Sequence, residues 1–201
     1  TFSIASLGTV DSSNVSYNEG GTGAVNRSVQ DKLQESVSVK DFGAVGDGAT
    51  DDTAAINRAL YELFAREQEQ RIRRSLFFPA GNYVISDTIK IPTYAKLVGE
   101  GPNSTTITSS DATGPVAQTA DSLQQVDATV GSNSAIRPSY ITIEGMSFTS
   151  TTDINTFVVD QAKGCTFTNC AFAGPNTTVP TTVGNSKANV LSGFRVQLST
   201  I

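Results

Sequence analysis

The sequence predicts a mainly β chain coiled as a solenoid, with one helix near its start and an extended stem before that helix. Three observations carry this reading. Ile143, Phe167 and Leu191 are spaced 24 residues apart, as are Met146, Cys170 and Phe194, and again Phe148, Phe172 and Val196. Between them Gly145, Asn169 and Gly193 share one register, and Gly and Asn are the residues that enter left-handed backbone most cheaply. Charged residues make up only 16% of the 201, below the usual quarter, and Ser, Thr and Asn take their place. Short neutral polar side chains suit strands and turns better than helices. Repetition at a fixed period means a repeat architecture. Because the apolar residues of each copy recur at every second position rather than every 3.6, each coil is built of short strands, which is a parallel β-helix.

Residues 1–36 read as the stem. The stretch from Thr9 to Gly23 is rich in Ser, Asn and Gly, and Val25, Val29 and Leu33 then fall at i, i+4 and i+8 of a short helix. That stripe fits either an oligomer contact along an axis or a surface turn packed on its own domain. Residues 37–201 form the second domain. Val37 to Phe42 alternate as a half-buried strand, and a Gly- and Asp-rich turn follows from Gly43 to Asp52. The one convincing helix runs from Thr53 to about Arg66. Thr50 or Asp51 can cap it, Asp51 and Asp52 complement its positive end, and Ile56, Leu60, Leu63 and Phe64 form its apolar face. The charged run from Arg66 to Arg74 reads as a solvated face.

Short strands follow at Leu76–Phe78, Tyr83–Ile85, Ile89–Ile91 and Lys96–Val98. Leu97 and Gly99 read as an earlier coil, because Gly99 precedes Gly145 by 46 residues. That interval fits one 24-residue coil with an insertion, for which the apolar-poor stretch from Ser109 to Ser134 is the obvious place. Two coils of about 23 residues fit as well, since β-helix coils fall in this range.

Composition excludes several functions. A face that neutralises nucleic-acid phosphates needs many Lys and Arg, and 14 basic against 19 acidic residues with a net charge of −5 argue against nucleic acid as a partner. The absence of His removes Ser-His-Asp and Cys-His catalysis and His-ligated zinc from these residues. No apolar run reaches membrane-spanning length. The chain opens at Thr1 rather than Met, so the lack of a leader peptide carries no weight.

Three segments resemble a known family. The run from Val37 to Ile56 (VSVKDFGAVGDGATDDTAAI) resembles the opening of the pectate-lyase-like superfamily, and Phe78 to Tyr83 (FPAGNY) and Leu97 to Pro102 (LVGEGP) look like its next two landmarks. The upstream run from Gly21 to Leu33 (GTGAVNRSVQDKL), set directly before Val37, is similar to bacteriophage tailspike and tail-fibre proteins. The resemblance implies a right-handed parallel β-helix whose open apolar end is plugged by the helix. It also implies a homotrimer on the virion, made in the host cytoplasm. It carries fold far better than activity, since the superfamily holds lyases, hydrolases and adhesins.

No residue set reads as catalytic, and no cofactor or metal is expected. The glycines Gly43, Gly46 and Gly48 do not form a dinucleotide fingerprint. Asp47, Asp51 and Asp52 lack the Ca²⁺-loop pattern, so capping and turn geometry account for them. Asp87, Glu100, Glu144, Asp153 and Asp160 are the acids available on the coils, and none pairs with another in equivalent positions as glycoside cleavage requires. Arg137 and Arg195 stand alone. Cys165 and Cys170 read as reduced thiols, Cys170 filling a small apolar position in register with Met146. The expected function is a phage tail structural protein that binds host surface polysaccharide and attaches to other tail or baseplate proteins through its stem. The alternative is a polysaccharide depolymerase, a glycosidase or lyase, with its catalytic residues beyond residue 201. The sequence further predicts that the helix crosses the first coils near Phe77, Val84 and Leu97.

Overall fold

The structure is a computed structural model, and it describes residues 10–65, 75–110, 113–120, 138–152, 156–160, 162, 164–174 and 181–184. The chain divides into two compact units, Thr1–Val37 and Ser38–Ile201.

The first unit is small and held by polar contacts. A 3-10 turn at Ser12–Asn14 leads into strands β1 (Ser16–Tyr17) and β2 (Arg27–Ser28), which pair antiparallel. Helix α1 (Val29–Leu33) starts at Ser28, whose hydroxyl accepts from the Asp31 N–H at 3.0 Å. Arg27 and Lys32 both reach the Glu35 carboxylate, at 2.6 and 3.1 Å, and the Lys32 ammonium lies 5.8 Å from the centre of the Tyr17 ring. None of the described residues 10–36 is buried. The stripe expected of Val25, Val29 and Leu33 is not a continuous helix face, because α1 begins only at Val29. Val25, in the loop before β2, is 70% exposed and Leu33 is 64% exposed.

In the second unit the chain leaves the short strand β3 (Val37–Ser38) for a 3-10 turn at Val39–Phe42. The strand expected from Val37 to Phe42 therefore stops early. Ser38 accepts from the Lys40 N–H and Asp41 accepts from the Ser38 N–H, and this reciprocal box satisfies locally the groups a strand would offer a neighbour. The Gly- and Asp-rich run, expected to be a turn, contains strand β4 (Asp47–Asp51). Helix α2 (Thr53–Leu60) is shorter than expected and passes into a π-type turn at Tyr61–Ala65.

Twelve further strands follow among the described residues: β5 (Leu76–Phe78), β6 (Gly81–Ile85), β7 (Ile89–Ile91), β8 (Lys96–Gly99), β9 (Thr105–Ser109), β10 (Ala117–Thr119), β11 (Thr142–Glu144), β12 (Ser147–Ser150), β13 (Phe157–Asp160), β14 (Thr166–Thr168), β15 (Ala171–Ala173) and β16 (Thr181–Gly184). They stack into three sheets. The first holds β5, β8, β11 and β14, the second β4, β6, β9, β12 and β15, and the third β7, β10, β13 and β16. Every pairing among these strands is parallel. Each circuit of the chain visits the three sheets once and moves up one strand, so the unit is a parallel β-helix, right-handed as connections between parallel strands are.

Leu97 sits directly opposite Ile143. The 46-residue interval is therefore one coil with an insertion, not two coils. Strand β10 lies inside the stretch expected to protrude, so the extra chain falls within residues 120–141, which join the third sheet to the first, a link made by residues 92–95 one coil earlier.

The core follows from the strand period of two. Leu76, Leu97, Ile143 and Phe167 form one inward column, and Tyr83, Ile107, Phe148 and Phe172 form another. Ile89, Ala117 and Phe157 complete the third wall. The four phenylalanines interlock: Phe157 meets Phe148 and Phe167 edge-on at 5.1 and 5.0 Å, and Phe148 stacks on Phe172 at 5.7 Å. Ile56, Ala59, Leu60 and Phe64 are buried in the same cluster, with Leu63 partly buried, and α2 lies against β7. Phe77 and Val84, expected near the helix, occupy the alternate positions of β5 and β6 and are only half-buried, while Leu76, Phe78, Tyr83 and Ile85 face inward.

Candidate functional site

The three carboxylates of the Asp-rich run are engaged by the backbone around them. Asp47 accepts from the N–H groups of Ala49 and Thr50 at 2.9 and 2.7 Å and from the Thr50 hydroxyl at 2.9 Å. The Thr50 N–H, the largest influence, holds its pKa below the ordinary carboxylate range. Asp51 accepts from the Ser86 hydroxyl at 2.6 Å and from the N–H and hydroxyl of Thr53 at 3.0 and 2.5 Å, and the Ser86 contact contributes most to lowering its pKa. Asp52 occupies the N-cap position itself, yet its side chain does not cap α2. It is buried and turns back to accept from the N–H groups of Val45 and Gly46 at 2.7 and 3.0 Å, because a buried carboxylate requires such donors.

Of the acids on the coils, Glu100 and Glu144 are exposed. Glu144 shares its outward column with Phe77, Val98 and Thr168, so among the described residues no second acid stands in register with it. Asp87 accepts from the Thr88 N–H at 2.7 Å. The backbone of Asp160 lies opposite Gly184 in the third sheet. Asp153, Arg137, Arg195 and the third sequence copy, with Leu191, Gly193, Phe194 and Val196, lie outside the described residues. Among the described residues no group of three or more metal-ligating side chains comes together.

The outward face of the second sheet is polar in its middle coils. Asp47, Asn82, Thr106, Ser147 and Ala171 form one row, in which Ser147 is buried, and Asp51, Val84, Thr108, Thr149 and Ala173 form the next. The Thr108 hydroxyl donates to Asn82 Oδ1 at 2.6 Å, tying adjacent coils together, while Ser147 donates to the Pro102 carbonyl. Successive rungs of a parallel sheet are about 4.8 Å apart. Such a strip offers hydrogen-bond donors and acceptors at a fixed repeat, suited to a long ligand with many hydroxyls.

The turn leading from the first sheet to the second is marked in two successive coils by Gly145 (φ 66°) and Asn169 (φ 50°). Cys165 is buried and Cys170 partly so, and both are free thiols. Burial pushes the Cys165 thiol up to about 11 and raises that of Cys170.

Sequence reasoning missed a pair of tyrosines at the corner between the third and first sheets. Tyr94 (φ 63°) and Tyr140 (φ 56°) stand in the left-handed region, and their rings stack at 5.5 Å with 14° between planes. Tyr140 is 52% exposed. The equivalent residue of the next coil is Gly164 (φ 67°). Left-handed backbone costs an L-residue about 1–2 kcal/mol, whereas one ring stack returns about 0.5–1.5 kcal/mol. One ring stack therefore does not by itself offset left-handed backbone at two residues. The signal was present in the sequence, since Tyr94 and Tyr140 are separated by the same 46 residues as Gly99 and Gly145.

Residues 36–193 match the family described as rhamnogalacturonase A/epimerase, pectate lyase-like. The chain is 32% identical over 130 residues to the pre-neck appendage protein of Bacillus phage B103, a match covering 64% of this chain and 14% of that protein. It is 40% identical over 70 residues to a probable glucan endo-1,3-beta-glucosidase of Arthroderma benhamiae, covering 33% of this chain and 8% of that one. Tailspike protein 3 of bacteriophage CBA120 shares the fold with a TM-score of 0.58 and 17% identity, over 81% of this chain and 25% of that one. The chain thus spans a small part, at most 14%, of these two curated relatives.

Proposed function

This chain belongs to the pectate-lyase-like family, and from that premise we propose that it carries the stem and first coils of a phage tailspike or tail appendage that binds host surface polysaccharide. The observation that supports this most is the outward strip of Asn82, Thr106, Thr108 and Thr149 on a rigid coil stack, in a chain similar to a phage appendage protein. A parallel β-helix holds its surface groups on hydrogen-bonded rungs, so a long polysaccharide meets donors and acceptors that need no ordering on binding. In this reading residues 1–36 attach to other tail or baseplate proteins, and the molecule acts as a homotrimer on the virion after synthesis in the host cytoplasm. The exposed Val25 and Leu33 of the small unit supply apolar surface for such contacts. Helix α2 serves to cover the open end of the coils.

A depolymerase is the second reading, favoured by the similarity to the glucan endo-1,3-beta-glucosidase. Incubation of the protein with purified capsular and O-antigen polysaccharides separates the two. Retention of the polysaccharide without release of oligosaccharide supports the adhesin. Release of oligosaccharide assigns the enzyme, and neither retention nor release refutes both.

A further inference from the structure

The Tyr94–Tyr140 pair is an aromatic surface feature that lies outside the strip on the second sheet. We propose that its rings form a stacking platform for one pyranose ring of a bound glycan, a site separate from the second-sheet strip; the proposal rests on the polysaccharide-binding reading. At three successive corners the chain passes through left-handed backbone, at Tyr94, Tyr140 and Gly164. Glycine is the residue that such a corner favours, and bulky residues there are outliers. A tyrosine at two of these three corners, with Tyr140 52% exposed, is therefore not what the backbone alone would select.

The geometry selects the ligand. Gly164 adds no third ring, and a Cβ there would come within 3.0 Å of Tyr140 Cδ1, so the ladder ends at an exposed tyrosine. Two residues further along the chain, the outward column of the first sheet holds Lys96, Thr142 and Thr166, so the strand starts that follow this corner carry one amine and two hydroxyl side chains. An aromatic face with a hydrogen-bonding rim matches a sugar ring, which has a C–H face and a hydroxyl rim. A protein partner requires a patch of about 800 Å² on each side. Among the described residues of this unit, only Val45 and Tyr140 are exposed large apolar side chains, which is too little for that.

The test uses the full chain against an array of purified capsular and O-antigen polysaccharides, with Tyr140→Gly and Tyr140→Phe as variants and thermal melting measured on each. The wild type is expected to retain at least one polysaccharide, and Tyr140→Gly to weaken that retention about tenfold or more, as loss of a ring stacked on a ligand ring does. Its melting temperature should be unchanged or higher, because the substitution relieves strain. Tyr140→Phe should retain the polysaccharide, since the ring face survives. Undiminished retention by Tyr140→Gly overturns the platform while leaving the adhesin reading intact. Lower melting together with lost binding overturns it as well, by making the pair a structural element. Failure of the wild type to retain any polysaccharide overturns the adhesin reading and the platform together.

Discussion

Gly99 and Gly145 occupy adjacent coils and approach each other backbone to backbone. A Cβ on Gly145 would lie 2.7 Å from the Gly99 carbonyl oxygen, and one on Gly99 would collide with the Gly145 carbonyl. Gly99→Ala should therefore destabilise the unit by about 1–3 kcal/mol, the usual cost of overpacking, read from urea unfolding. A stability equal to wild type would mean that the coils have room to separate there. Asn169→Val places a β-branched residue at φ 50° and should cost about 1–2 kcal/mol by the same measurement. Phe167→Ala empties the centre of the phenylalanine cluster and should cost about 3–5 kcal/mol. The thiols give a test by pH. Cys165 is raised to about 11 from an ordinary value of 9.0 because burial penalises the thiolate. The unfolded chain then loses this proton before the folded chain does. The contribution to stability is complete below pH 9 and is lost as pH rises from about 9 to 11. Melting temperature should fall across that window, and less steeply in Cys165→Ala.

At the scale of elements, α2 and the Asp-rich run form one assembly. Asp52 fixes the turn at Val45 and Gly46, Asp51 ties the start of the helix to Ser86 on the next coil, and Ile56, Ala59, Leu60 and Phe64 enter the core. The first rung of a coil stack otherwise exposes apolar side chains and unpaired strand edges, a template for aggregation. Replacing Leu60 and Phe64 together by Ser should give associating or insoluble protein on size-exclusion chromatography. A soluble double mutant with unchanged melting would show that the helix does not cover the coil end. Asp47 and Asp51 both have lowered pKa values. Their contacts are present above the ordinary carboxylate range and are lost as pH falls through the depressed values, so this assembly should loosen in acid before the coils unfold.

For the whole molecule, the small unit carries exposed apolar groups on a body with no buried residue among those described, a combination that suits contact with other chains. Native mass spectrometry of the protein should show three copies. A stable monomer would remove the trimer from the proposed function. The two candidate glycan surfaces lie on different parts of the coil, one on the face of the second sheet and one at the corner between the third and first. A bound polysaccharide should therefore lose affinity when either is altered, and Thr108→Val with Tyr140→Gly should add if the sites act independently.

The spacing of inward residues makes the coil legible in the amino-acid order itself. Parallel rungs must place Ile143 opposite Phe167 and Phe148 opposite Phe172, and only a fixed period does that. The same logic covers the stack from Leu76 through Leu97, whose alternation survives in sequence because the inward face must be apolar. Other features were decided by partners far along the chain. Asp47–Asp51 is a strand because β6 lies beside it, although its composition reads as a turn. Val39–Phe42 leaves the strand because Ser38 and Asp41 satisfy each other locally. The tyrosine pair shares the coil interval in sequence, but its stacking and its left-handed backbone exist only where two coils are brought into register. Period is a property of one strand and is written locally. Which polar groups meet, and where the strain falls, depend on residues that only the coiling brings together.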